Sequence, residues 1–77
     1  KGVGYMKIEQ LRQLIEVVHE GSMNRAAINL YMARSSLSTS MKNLEESFGE
    51  VIFERSHKGV SLTDFGQAVY RQAKDIV

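Results

Sequence analysis

The 77 residues contain no cysteine, which removes both a disulfide framework and a thiolate zinc site as sources of stability. Only two histidines occur, His19 and His57, far apart and without neighbouring ligands, so no structural metal and no other cofactor is expected. No apolar run approaches the roughly 20 residues that cross a bilayer, and no segment has the layout of a signal peptide. The expectation is a cytoplasmic chain with no membrane partner. Proline is missing too, and 43% hydrophobic with 25% charged residues is the balance of a folded domain rather than a disordered one. A single small domain of this size buries a modest share of its surface, and association with a second copy is the ordinary remedy.

Acidic residues are missing from two stretches. None lies between Glu20 and Glu45, a window that holds Arg25, Arg34 and Lys42. None lies from Arg55 to Thr63, which holds Arg55, His57 and Lys58. The acids gather instead at Glu9, Glu16 and Glu20 and at Glu45, Glu46 and Glu50. Net charge is only +1, so the distribution carries the signal, and two basic patches suit a polyanion docked on one face. Chance clustering of solvated side chains gives the same pattern, and charge alone leaves both readings open.

Ile8, Leu11, Leu14, Ile15 and Val18 recur at helical spacing and predict a first helix from about Lys7 to His19. Gly21 stops it, and Ser22 stands where an N-cap belongs. A short second helix, Met23 to Leu30, turns Ala26, Ala27 and Leu30 inward, the alanines allowing close approach of a neighbour. Residues 31–34 read as a turn. Leu37, Met41, Leu44 and Phe48 form the apolar stripe of a third helix, closed by Gly49. The opposite face carries Ser35, Ser36, Ser38, Thr39, Lys42 and Asn43. Serine and threonine are weaker helix formers than the Glu, Lys and Arg of an ordinary solvent face, and close approach to another surface is the simplest explanation.

The period then changes from helix to strand. Val51-Ile52-Phe53 and Val60-Ser61-Leu62 read as two strands joined by the polar loop Arg55-Ser56-His57-Lys58-Gly59. Thr63 can cap a fourth helix with Asp64 in its first turn. Its stripe of Phe65, Val69, Ala73 and Ile76 is still running at the end of the sequence, so the helix is expected to continue. Residues 1–5 precede Met6, which reads like a start, and are expected to be an expression remnant. Residues 6–62 form the expected domain, with 63–77 the start of a linker helix. The adjacent Glu45 and Glu46 point in different directions on a helix, and no nucleophile–base pair or phosphate-cradling glycine loop occurs, so no enzyme is expected.

The order is helix, short helix, tight turn, helix, small hairpin. It predicts a mainly α fold, a winged helix-turn-helix with a three-helix core, a two-stranded wing and the start of a long linker or dimerisation helix. The residues Gly21-Ser22-Met23, Ala26-Ala27, Leu30, Ser38, Leu44-Glu45-Glu46, Phe48-Gly49, Ile52-Phe53, Arg55, Leu62-Thr63 and Gly66 stand at ungapped spacing that resembles the N-terminal domain of LysR-type transcriptional regulators. The likeness covers Met6 to Val77.

That resemblance implies a third helix in the major groove of double-stranded DNA, with Arg34, Ser35, Ser38, Thr39 and Lys42 facing bases or groove. It implies phosphate contacts from Ser22 and Asn24 and, around the wing, from Arg55, His57 and Lys58. It further implies a homodimer through the linker helix, at Phe65, Val69, Ala73 and Ile76, and a higher oligomer in the full-length protein. The operator would be an interrupted inverted repeat, and a small-molecule effector would bind a separate C-terminal domain. The family commonly has Ser or Thr at position 33, Gln-Pro at 34–35 and a basic residue at 39, where this chain has Ala33, Arg34-Ser35 and Thr39. Without a cap at Ala33, the recognition helix is expected to start at Ser35 or Ser36. Arg34 can bond bidentately to guanine, and a phosphate contact or a solvated side chain is the competing reading. A winged-helix protein-interaction module without a DNA role is the alternative function, although the third helix lacks the aromatic or aliphatic anchors such a module needs.

Overall fold

A computed structural model describes residues 2–56 and 59–76, with side chains from residue 8 onward. Six elements follow in order: α1 (Gly2–Glu20), α2 (Met23–Asn29), α3 (Arg34–Phe48), β1 (Phe53–Ser56), β2 (Gly59–Leu62) and α4 (Asp64–Ile76). The three helices α1 to α3 pack around one core, β1 and β2 form an antiparallel hairpin, and α4 lies back across α1. This is the architecture of a winged helix-turn-helix.

The core is built from the stripes the sequence displays. Leu14, Val17, Leu37, Met41, Leu44 and Ile52 are fully buried, with Ala26 and Ala27 where α2 crosses its neighbours. Each large side chain so buried contributes about 1.5–3 kcal/mol relative to exposure. Two members of the expected stripes stand apart. Ile8 is exposed, and Val17 takes the inward place in α1. Phe48, the last residue of α3, is exposed as well, its ring in a T-shaped contact with Phe65 on α4 at 5.7 Å between centroids.

Helix α1 is longer than expected and begins at Gly2 rather than near Lys7. Helix α3 begins at Arg34, one or two residues ahead of the predicted start. Ala33 is its N-cap in extended conformation, φ −69° and ψ 144°, with no side-chain hydrogen bond. The preceding turn holds it there. Tyr31 adopts a left-handed φ of 56°, Met32 N donates to Ala27 O at 3.0 Å and Tyr31 N to Ile28 O at 3.1 Å. These are the two bonds of a Schellman ending, made here with tyrosine in the place glycine usually takes.

The hairpin is shifted from the expected one. Val51 is outside β1 and exposed, while Arg55 and Ser56 belong to the strand, pairing with Val60 and Gly59. Ile52 N, which would extend the ladder to Thr63, instead donates to the Glu45 carboxylate (2.9 Å), which also takes Phe53 N (3.1 Å).

Helix α4 divides its apolar stripe. Val69 and Ala73, assigned to a dimer seam from the sequence, are buried in this chain's own core by packing on α1. Phe65 packs half-buried against that core, and Ile76 is exposed. Thr63 caps α4 as expected, its Oγ1 accepting from Gly66 N at 3.0 Å.

Candidate nucleic-acid interface

The buried stripe of Leu37, Met41 and Leu44 fixes which side of α3 faces outward. Ser35, Ser38, Thr39 and Lys42 fall at i, i+3, i+4 and i+7, so they share one face, and all but the half-buried Ser38 are exposed. The rotation of α3 is fixed further by a polar lock that the hydrophobic pattern does not display. Ser40 Oγ donates to Gln13, itself nearly buried in α1, and Gln10 Nε2 donates to the Ser40 carbonyl at 3.3 Å. The outward face is short, polar and free of acid through Lys42, and the first acids, Glu45 and Glu46, follow about one turn beyond it.

A recess forms where α2, α3 and the hairpin meet. It is lined by Ser22, Met23 and Asn24 from the start of α2, Arg34 from the start of α3, and Arg55, Ser56, Gly59 and Val60 from the hairpin. Four of the residues selected from sequence, Ser22, Asn24, Arg34 and Arg55, are thus brought together from three separate elements. Ser22 caps α2 by accepting from Arg25 N at 3.2 Å, which leaves its hydroxyl proton free to donate. A second concavity lies between Ser38 and Lys42 on α3 and Arg55 on β1, so Arg55 borders both. Among the described residues, Arg34, Lys42 and Arg55 have no acidic partner. His57 and Lys58 lie outside the described residues.

The hairpin is held against the helices at two points. Val60 N donates to Gly21 O at 3.1 Å, and a Cβ on Gly59 would stand 2.4 Å from that same carbonyl, so only glycine permits the approach. On the other side, the bonds from Glu45 anchor the start of β1. Sequence reasoning gave Glu45 no structural role beyond setting aside a catalytic pair with Glu46, and missed Gln10, Gln13 and Ser40 altogether. Among the described residues, no group of three His, Cys, Asp or Glu side chains could hold a metal ion, and no helix is long and apolar enough to cross a membrane.

Residues 8–67 match the family model of the bacterial regulatory helix-turn-helix proteins, lysR family. The chain belongs to the LysR family. Similar curated relatives include a probable RuBisCO transcriptional regulator of Cyanidioschyzon merolae, 36% identical over 70 residues, covering 91% of this chain and 23% of that protein. The regulator ClcR of Pseudomonas putida is 35% identical over 72 residues, covering 94% of this chain and 24% of ClcR. The chain thus spans about a quarter of the length of these relatives. Among solved structures, the DNA-binding domain of CbnR in complex with DNA superposes with a TM-score of 0.85 at 36% identity, covering 90% of this chain and 79% of that one. The BenM DNA-binding domain bound to catB site 1 DNA gives 0.86 at 35% identity, covering 90% and 78%. In this LysR-type DNA-binding domain, α2 and α3 are the helix-turn-helix pair and the β1–β2 hairpin is the wing. Family membership decides against the reading as a protein-interaction module without a DNA role.

Proposed function

We propose that this LysR-type domain reads double-stranded DNA for a longer transcription regulator, with α3 in the major groove and the wing on the adjoining backbone. The observation that carries this is the face of Ser35, Ser38, Thr39 and Lys42, continuous with a recess where Arg34 and Arg55 stand without acidic partners among the described residues. A major groove about 12 Å wide admits one helix, and small hydroxyl side chains let the α3 backbone come close to base edges. Arg34, at the first turn of α3, is assigned to guanine readout, with Ser35, Ser38 and Thr39 on neighbouring bases. Lys42 lies beside them in the groove and reaches a phosphate.

Ser22, Asn24 and Arg55 are assigned to phosphates on the flanking backbone, with His57 and Lys58 of the wing. Such contacts add affinity and salt dependence without sequence information. The DNA complexes of the related CbnR and BenM domains support this docking. The same reading makes the protein a cytoplasmic regulator and not an enzyme. Two copies would join through α4 and place their recognition helices on the halves of an interrupted inverted repeat. With Val69 and Ala73 committed to the core, the α4 residues left for that seam are Phe65 and Ile76. An effector would act through a domain outside these residues.

Binding of a mixed-sequence duplex at low and high salt tests the reading. Each cation that neutralises a phosphate steepens the slope of log affinity against log salt by about 0.9. Salt-sensitive binding, followed by recovery of a half-site motif from random DNA, is the expected result. Absence of salt-sensitive binding contradicts it.

A further inference from the structure

Glu45 is the residue whose role neither the sequence nor the docking reading explains. It sits on α3 one turn beyond Met41, on the side that turns toward the wing, and lines the concavity between Ser38, Lys42 and Arg55. Its backbone carbonyl accepts Gly49 N at 2.9 Å and Glu50 N at 3.3 Å, closing α3 with glycine in the left-handed conformation. That turn sends the chain back along α3, and the carboxylate of the same residue then accepts from Ile52 N and Phe53 N. One residue therefore ends the recognition helix and fixes where the wing begins. Ile52 is fully buried and its own carbonyl accepts from Thr63 N at 3.0 Å, so the anchored point is the junction of α3, β1 and α4.

We infer that Glu45 is a positioning residue for DNA binding, holding β1 against α3 so that Arg55 and Lys42 engage one duplex together. The physical case is geometric. Arg55 is two residues beyond the clamped Phe53 amide, on the exposed part of a short strand that is otherwise held by the buried Phe53 and by pairing with β2, itself tied to Gly21 O through Val60 N. Free of the carboxylate, the first strand keeps its pairing with β2 but loses the two hydrogen bonds that tie its start to α3. The distance between Arg55 and Lys42 then fluctuates, and a rigid duplex cannot satisfy both at once. A negative charge beside two phosphate-seeking cations would ordinarily oppose DNA binding. Here both amides are turned onto it, which accounts for a carboxylate at this place. The inference rests on the docking reading above for the roles of Arg55 and Lys42.

The test is a double-mutant cycle on the chain, read as the salt slope for a mixed-sequence duplex. In the parent chain, Arg55→Ala lowers the slope by about 0.9, the loss of one phosphate contact. In Glu45→Ala the slope is expected to be reduced already, and adding Arg55→Ala changes it no further. Glu45→Gln keeps a carbonyl acceptor of the same reach and should restore part of the Arg55 contribution. It also carries the test if Glu45→Ala fails to fold. A Glu45 that only stabilises the domain predicts a lower melting temperature with the full Arg55 effect intact in every background, and that result overturns the inference. Absence of salt-sensitive binding by the parent chain instead overturns the docking reading itself, so the two failures are distinct.

Discussion

Gly66→Ala sets helix propensity against tertiary geometry, and the two predict opposite signs. Gly66 lies in the first turn of α4, where alanine favours the helix by about 1 kcal/mol over glycine. A Cβ at this position, however, would stand 2.2 Å from the Ile52 carbonyl oxygen and 3.1 Å from its carbonyl carbon. The carbonyl cannot swing away freely, since it accepts from Thr63 N at 3.0 Å and Thr63 Oγ1 at 3.2 Å, while Ile52 N is held by Glu45. Moving α4 outward instead would break the two Thr63 bonds, each worth about 1 kcal/mol. The strain of overpacking adds roughly 1–3 kcal/mol. Set against the propensity gain, the net loss is about 2–4 kcal/mol. For a domain of this size that lowers the melting temperature by roughly 10–30 °C. Thermal unfolding followed by far-UV circular dichroism measures it directly. A variant that melts at or above the parent temperature would refute the claim that α4 is locked onto Ile52.

The remaining expectations concern the recognition helix, its contacts and the dimer. Ala33→Ser supplies the missing cap at a backbone already extended, and should stabilise the domain by about 1 kcal/mol, seen as a rise in melting temperature; no rise would mean that the α3 amides are already satisfied. Arg34→Ala should weaken binding unevenly across sequences recovered from random DNA, whereas Arg55→Ala should weaken all of them alike and flatten the salt slope. An unchanged base preference in the Arg34 variant would remove it from direct readout. Ile76→Glu should leave folding intact, because that side chain is exposed, yet shift sedimentation toward monomer. Identical sedimentation of parent and variant would exclude Ile76 from the seam.

The core helices are legible in the sequence because burial leaves a period. Leu37, Met41 and Leu44 repeat at helical spacing and are all fully buried, and Gly49 ends α3 with the positive φ that favours glycine. The polar outward face of α3 is legible for the complementary reason, since short hydroxyl residues occupy places where a plain solvent face would carry long charged ones. Features that depend on a contact across the chain leave no such trace. Ala33 lacks a capping side chain, so local chemistry places the helix start too late, whereas the Tyr31 turn fixes it at Arg34. Val51 has strand-like chemistry, but the strand starts at Phe53, and the Ile52 amide that would lengthen the ladder goes to Glu45, several residues earlier. The α4 stripe looks like a free seam until α1 is seen to cover Val69 and Ala73. Sequence periodicity shows that a face is apolar without showing what covers it.

Docking on DNA requires the polar face of α3 and the wing to meet the duplex together. Titrating the isotopically labelled chain with a duplex, while following backbone amide resonances, tests it most directly. The largest shifts are expected at Ser35, Ser38, Thr39 and Lys42 and at Arg55, with small changes in the middle of α1. Shifts confined to α1 and α4, with α3 and β1 unmoved, would contradict it.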